Sequence, residues 1–250
     1  MRLLAGGHGV NLKRTGPEGA PAVVLIHGLA ASLDCWDQVA GLLEDRFDVI
    51  RYDLRSHGAS EAVDEPCTRS DLAADLVAIL DGLGLERAAL FGHSGGGVVA
   101  MQTAVDHPGR TSALVLVGTA SECNDRAAGW YRKTAETARV EGGLAAMREM
   151  RLSGSGQPVP DGNGLAHVSL AMSTLNEDPL TESMRSVVAP TLVVVGEKDF
   201  LGVGGSVILS RAVAGSELEI IPERGHGLHL EWAEGLAGRA GDFLDASLAA

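Results

Sequence analysis

The chain has 250 residues, of which 45% are hydrophobic, and its formal net charge is −13. This length suits one domain, or one domain with a sizeable insertion. The negative charge disfavours nucleic acids and anionic membranes as partners, because both are bound mainly through basic residues.

Three further features bear on where the protein works. Residues 1–8 lack the apolar core of a signal peptide. No apolar stretch reaches the roughly 18 residues of a transmembrane helix. Cys35, Cys67 and Cys123 are scattered, with neither metal-ligand nor disulfide spacing. We therefore expect a cytoplasmic protein without a membrane span or a metal site.

Apolar runs alternate with segments of helical period, which predicts an α/β fold with a mostly parallel sheet. Most runs are continuously apolar, as in strands buried on both faces. Strands are predicted at residues 22–27, 48–53, 87–92, 113–118, 191–196 and 217–221, with an antiparallel hairpin at the edge over residues 2–14. Helices are predicted at residues 33–45, 69–83, 95–106, 204–214 and 230–248, the first two capped by Ser32 and Thr68.

Residues 121–185 break this alternation. They contain helical patterns at 125–139, 144–152 and 165–175, and a loop rich in glycine and proline at 153–164. A segment this long exceeds an ordinary connection. We expect a helical cap of residues 121–185 over a core of residues 1–120 and 186–250. The cap would cover the carboxyl ends of the strands, where open α/β sheets bind ligands.

The stretch Gly92-His93-Ser94-Gly95-Gly96 carries the main chemical signal. It fits the pattern G-x-S-x-G, follows an apolar strand and precedes a helix, which describes a nucleophile elbow. Glycine suits the flanking positions because larger side chains would clash in so sharp a turn. The bend exposes the serine hydroxyl and aims backbone N–H groups at negative charge forming beside it.

A serine nucleophile needs a base to take its proton. His226 follows the last predicted strand and has a glycine on each side, so it lies on a loop at the same sheet edge as Ser94. His229 is the competing candidate, but it is expected to open the last helix. We favour His226 as the base.

A third group should orient the imidazole and stabilise its charged form. Asp199 lies just past the carboxyl end of the strand at 191–196 and is favoured over Glu197, which is only one step past Gly196. The order Ser94, Asp199, His226 along the chain is the one expected for a strand–helix elbow of this kind.

The backbone after the first parallel strand completes the predicted site. His27 and Gly28 leave the following N–H groups free to face the pocket. We expect the N–H groups of Leu29 and Gly95 to bind the oxyanion that forms during acyl transfer. His27 itself is interpreted as structural.

Together these motifs resemble the α/β-hydrolase superfamily over nearly the whole chain. The turn at residues 53–60 is similar to the D-x-R-G-H-G-x-S turn of that superfamily, with Ser56 where glycine is usual. Asp53 and His57 are expected to bond within this turn. The chain looks most like the compact capped group of 3-oxoadipate enol-lactonases, small carboxylesterases and cofactor-free haloperoxidases.

The resemblance implies a fold with an eight-stranded sheet and a cap after the sixth strand. It also implies hydrolysis of a small ester or lactone through an acyl-enzyme, without metal or cofactor. A cyclase or lyase, a C–C bond hydrolase and a ligand-binding receptor remain alternatives. No arginine is clearly placed as a carboxylate clamp, although Arg126, Arg132 and Arg148 lie in the cap. The candidates for substrate contacts are Trp130, Tyr131, Met150, His167, Met172 and Leu201.

Overall fold

A computed structural model describes residues 1–152 and 156–249 of the chain. Within these residues eight strands form one sheet in the order β1-β2-β4-β3-β5-β6-β7-β8. Only the pairs β1–β2 and β2–β4 are antiparallel, so the predicted mostly parallel sheet is confirmed. The strands are β1 (Arg2–Ala5), β2 (His8–Thr15), β3 (Ala22–Ile26), β4 (Asp48–Tyr52), β5 (Ala88–His93), β6 (Thr111–Val117), β7 (Thr191–Gly196) and β8 (Glu217–Ile221).

Helices pack on both faces of the sheet and form the segment between β6 and β7. In the described residues they are α1 (Asp37–Leu43), α2 (Arg69–Gly82), α3 (Gly95–Asp106), α4 (Asp125–Glu141), α5 (Gly143–Glu149), α6 (Gly162–Ser173), α7 (Thr181–Met184), α8 (Val203–Ala212), α9 (Leu228–Glu231) and α10 (Ala233–Leu248). Thr68 caps α2 in a capping box with Asp71, as the sequence predicted. None of these helices combines the length and the apolarity that crossing a bilayer requires.

Two predicted helices differ from the structure. The helix expected over 33–45 begins as a 3-10 turn at Leu33–Trp36, behind the predicted cap Ser32, and becomes α-helical at Asp37. The last helix is divided at Trp232, whose φ of −146° and ψ of 40° are not helical. The Trp232 ring lies over Gly235, where a Cβ atom would fall 1.9 Å from it. The break in the continuous helical pattern thus coincides with packing of the indole on the first turn of α10.

Two apolar cores lie on the two faces of the sheet. Along β3, Val24 and Ile26 face one core, together with side chains of α2 and α3. Val23 and Leu25 face the other, against α1 and α10. Because both faces are covered, both sets of alternating side chains must be apolar. This burial explains the continuous apolar runs in the sequence.

The helices α4 to α7 are inserted between β6 and β7, and α4 packs along α6. Residues 156–160 of the predicted loop have no regular structure, whereas residues 153–155 lie outside the described residues. The oxygen Oε1 of Gln157 accepts hydrogen bonds from the backbone and the hydroxyl of Ser32. Gly164 lies against Ser56, since a Cβ atom at Gly164 would fall 1.9 Å from the serine side chain. The inserted helices therefore rest on the loops that follow β3 and β4.

Candidate active site

Ser94 occupies a strained turn between β5 and α3. Its φ of 52° and ψ of −119° lie in a region that non-glycine residues rarely adopt. A Cβ atom on Gly92 would lie 2.4 Å from the Gly96 carbonyl oxygen, and one on Gly96 would lie 2.2 Å from the Ile26 carbonyl oxygen. Both flanking glycines are therefore required by close backbone approach. The geometry is that of a nucleophile elbow.

His226 and Asp199 form a hydrogen-bonded pair at the same edge of the sheet. His226 Nδ1 lies 2.9 Å from Asp199 Oδ2, and the Asp199 side chain is 1% exposed while that of His226 is 17% exposed. Asp199 Oδ1 accepts the Leu201 N–H at 2.8 Å, which fixes the carboxylate. A proton on Nδ1 that is donated to Asp199 leaves Nε2 as the basic nitrogen. The pair thus has the orientation that a general base needs.

The two competing residues have other surroundings. Glu197 is exposed, and its carboxylate accepts the backbone N–H of Glu223 at 3.0 Å. His229 is buried, with its ring centroid 4.9 Å from that of Trp36 and 4.2 Å from that of His93. Burial lowers the pKa of His229 to about 3, so this imidazole is neutral. Neither side chain is placed as a partner of Ser94.

His93, next to the nucleophile, was not singled out by the sequence. Its Nε2 donates a hydrogen bond to the His226 carbonyl oxygen at 2.9 Å, and the two ring centroids are 4.7 Å apart. Burial, with the nearby His229 and His226, holds the pKa of His93 well below its usual range. A neutral His93 therefore joins the elbow to the loop that carries His226. The only sequence signal was its position beside Ser94.

Gly118, at the end of β6, was also missed. Its φ is +54°, and a Cβ atom there would lie 3.1 Å from Asp199 Oδ2 and 3.2 Å from His226 Nδ1. A side chain at residue 118 would crowd the pair of Asp199 and His226.

Among the described residues, Ser94 Oγ makes no hydrogen bond to His226. Such contacts often tighten only when substrate binds.

The backbone groups predicted for the oxyanion hole lie close to each other. The Leu29 nitrogen is 3.4 Å from the position of a Cβ atom on Gly95, and one on Gly28 would lie 3.2 Å from Ser94 Cβ. Gly95 opens α3, so its N–H has no partner one turn earlier in the helix. The two backbone segments thus lie close to the Ser94 side chain, and their role as an oxyanion hole stays a prediction.

Two buried histidines support this backbone. His27 Nδ1 donates to the Gly28 carbonyl at 2.7 Å, and its Nε2 accepts the Leu54 N–H at 3.0 Å. His57 Nε2 accepts the Ala30 N–H at 3.2 Å. Burial lowers the pKa of His27 to about 3 and also lowers that of His57, so both rings are neutral. They connect the loop after β3 to the turn after β4.

Asp53 and Ser56 hold that turn in shape. Asp53 Oδ2 accepts the Ala59 N–H at 2.9 Å, and Oδ1 accepts the Leu33 N–H at 2.7 Å. Ser56, which replaces the usual glycine, keeps a positive φ of 62°. Its hydroxyl accepts the Val63 N–H at 2.8 Å, a bond that glycine could not make. The departure from the superfamily pattern therefore leaves the turn intact.

A cavity of about 250 Å³ lies between the elbow and the inserted helices. Ser94 and Asp199 border it, together with the loop after β6 and the start of α8. Of the predicted substrate contacts, Tyr131 and Leu201 line it. Burial raises the pKa of Tyr131 to about 12, so its hydroxyl is protonated and can donate a hydrogen bond.

The other four candidates lie outside the lining of this cavity. The Trp130 ring packs on Tyr131 at 5.1 Å, and Met150 packs against the core. His167 Nε2 donates to the Asp64 carbonyl at 3.0 Å. Met172 is buried, with its sulfur 3.8 Å from the position of a Cβ atom on Gly95. A role for these four in substrate binding stays a prediction.

Within residues 1–152 and 156–249, no group of three or more His, Cys, Asp or Glu side chains is arranged to hold a metal ion.

Comparison with known proteins adds a family and several relatives. Residues 21–147, about half of the chain, match the profile of the family described as alpha/beta hydrolase fold. The provisionally named carbamate hydrolase RutD of Variovorax paradoxus (strain S110) is 42% identical over 115 residues, 45% of this chain and 43% of that protein. The 3-oxoadipate enol-lactonase 2 of Acinetobacter baylyi (strain ATCC 33305 / BD413 / ADP1) is 29% identical over 133 residues, 53% of this chain and 49% of that protein.

A similar structure covers more of the molecule. The crystal structure of the enol-lactonase from Burkholderia xenovorans LB400 superposes with a TM-score of 0.89 and 25% identity, over 98% of this chain and 100% of that one. The chain spans less than half of the length of the two curated relatives that it matches in sequence.

Proposed function

The chain belongs to the α/β-hydrolase family, and we propose that it hydrolyses a small carboxylic ester or lactone with Ser94 as the nucleophile. The observation that carries the proposal is the pairing of His226 with Asp199 at 2.9 Å, at the sheet edge where Ser94 lies on a strained elbow. Likeness to an enol-lactonase structure over the whole chain supports a substrate with an acyl carbon.

In the first half of the proposed reaction, Ser94 Oγ attacks the substrate carbonyl carbon while His226 Nε2 takes the hydroxyl proton. The carbonyl oxygen becomes negative and accepts hydrogen bonds from the N–H groups of Leu29 and Gly95. Each such donor lowers the barrier by about 3 kcal/mol. His226 then gives its proton to the leaving alkoxide, and an acyl-enzyme remains.

In the second half, His226 takes a proton from water as the water oxygen attacks the acyl carbon. The proton returns to Ser94 Oγ when the carboxylic acid leaves. Asp199 keeps the proton of the resting imidazole on Nδ1 and stabilises the imidazolium formed in each half. This chemistry needs only groups of the chain and water.

The cavity limits the substrate. At about 250 Å³ it lies below the usual range for drug-sized ligands, roughly 300–1,000 Å³, so we propose a small acyl group. Tyr131 and Leu201 would contact this acyl group.

We also propose that residues 121–185 act as a cap over the site, because α4 supplies Tyr131. The cytoplasmic location stays a prediction from the sequence.

Replacement of the nucleophile tests the proposal. We expect Ser94→Ala to lower kcat/KM for p-nitrophenyl acetate by at least about 10³-fold, because the remaining groups offer no comparable nucleophile. Ser183→Ala, on the exposed face of α7, is the matched control. Activity of Ser94→Ala within tenfold of the control would contradict the proposal.

A further inference from the structure

We propose that Glu122 selects the substrate by accepting a hydrogen bond from a donor on its acyl group, an ammonium or a hydroxyl, and by repelling a carboxylate there. This inference rests on the proposed ester hydrolysis. It makes Glu122 a specificity residue of the same site.

Glu122 lies on the loop after β6, between the sheet and α4. Its half-buried side chain lines the same cavity as Ser94 and Asp199. Since the acyl group is attached to Ser94 during the reaction, any acyl group that fills a cavity of about 250 Å³ approaches Glu122 as well. The carboxylate is therefore placed to meet the substrate.

One oxygen of this carboxylate is fixed by a short chain of hydroxyl groups. Thr181 Oγ1 donates to Glu122 Oε2 at 2.7 Å, and Ser121 Oγ lies 2.8 Å from Thr181 Oγ1. The Ser121 carbonyl accepts the Leu180 N–H at 2.8 Å, which attaches the loop to the start of α7. The other oxygen, Oε1, has no hydrogen bond or ion pair to any described residue. The Glu122 carboxylate is thus fixed through Oε2, and its Oε1 can accept a hydrogen bond from a ligand.

The charge of Glu122 is not balanced within the cavity. The described residues that line it include no lysine or arginine, and the Asp199 carboxylate is engaged by His226. Arg69 and Arg132 approach the lining residue Cys123, but Arg69 is bound to Asp178 and Arg132 to Glu177. A ligand ammonium would supply the missing cation, and a ligand hydroxyl would satisfy Oε1. A ligand carboxylate would face a like charge.

The start of one helix beside the cavity opposes this preference for a cationic or hydroxyl group. The uncapped start of α8 at Gly202 and Val203 carries partial positive charge and could favour an anion. A fixed carboxylate carries a full charge, whereas a helix end carries about half a charge. We therefore expect the effect of Glu122 on substrate preference to exceed that of the start of α8. The charge of the preferred acyl group distinguishes the two, since Glu122 favours a cation and the helix start favours an anion.

The test uses four methyl esters of similar length: methyl 3-aminopropanoate, methyl 3-hydroxypropanoate, methyl butanoate and monomethyl succinate. Acid release is followed by pH-stat titration, and kcat/KM is compared for the wild type and Glu122→Gln. Glu136→Gln, which removes an exposed carboxylate from α4, is the matched control. Thermal unfolding shows whether each variant is folded.

We expect the wild type to prefer the amino ester to the butanoate by about tenfold or more, with the hydroxy ester between them and the succinate slowest. In Glu122→Gln the ratio of amino ester to butanoate should fall towards one and the ratio of succinate to butanoate should rise. Glu136→Gln should keep the wild-type ratios.

If the wild type preferred monomethyl succinate to the other esters, the inference would be overturned, and the start of α8 would explain the preference instead. Unchanged ratios in Glu122→Gln would overturn it as well. If the wild type showed no hydrolysis that depends on Ser94, either of these esters or of p-nitrophenyl acetate, the proposed function would be refuted and the inference with it.

Discussion

The imidazole of His93 connects the two segments that the proposed reaction needs. Residue 93 adjoins the nucleophile in sequence, and its Nε2 holds the backbone of His226, 133 positions away. Its ring contacts those of His226 and His229, with centroids 4.7 and 4.2 Å away. His93 is therefore a positioning residue for the base.

Replacement of His93 should affect turnover more than binding. His93→Phe keeps a flat ring but removes the donor, and we expect kcat to fall by about fivefold while KM stays within threefold, since a hydrogen bond of about 1 kcal/mol is lost. His93→Gln, which restores an N–H donor, should recover part of kcat. Steady-state kinetics on p-nitrophenyl acetate measures both. A wild-type kcat in His93→Phe would rule out this role.

At the scale of elements, the sequence predicted the strands and the first residues after them. The apolar runs place the strand ends, and the loops after parallel strands share one edge of a sheet. This reasoning brought Ser94, Asp199 and His226 to one place, and in the structure these loops do lie together.

What the sequence did not predict depends on particular side-chain contacts. The break at Trp232 accompanies the packing of its indole on Gly235, three residues further on, and the bond from His93 to His226 joins β5 to a loop far along the chain. The lining by Glu122 follows from how the loop after β6 meets α4 and α7. None of these contacts produces a hydrophobic period or a short motif in the sequence, so they could not be predicted from it.

At the scale of the whole molecule, four buried neutral histidines link stability to pH. Burial lowers the pKa of His27 and His229 to about 3 and that of His93 well below its usual range, and it also lowers the pKa of His57. Unfolding exposes these rings, whose pKa then returns to about 6.5. Below that pH the unfolded chain binds more protons than the folded one, so the free energy of unfolding falls as pH falls.

This dependence can be measured by urea unfolding between pH 7 and pH 5. Below pH 6.5 we expect the free energy of unfolding to decrease by up to roughly 1 kcal/mol per pH unit for each of the four histidines. His229→Phe removes one of them and should reduce their contribution to the slope by about one quarter. His229 suits this replacement because its Nδ1 is buried and has no partner among the described residues. An equal slope in both proteins would contradict the assignment.

The central claim is that Ser94 becomes acylated, and trapping the acyl group tests it most directly. The enzyme is mixed with excess p-nitrophenyl acetate, quenched in acid within the first turnover, digested and examined by mass spectrometry. We expect one acetyl group on the peptide that contains Ser94, matched by a burst of one p-nitrophenol per chain, and neither in Ser94→Ala. Acetyl transfer to another residue at the rate of turnover, or an equal burst from Ser94→Ala, would contradict the account.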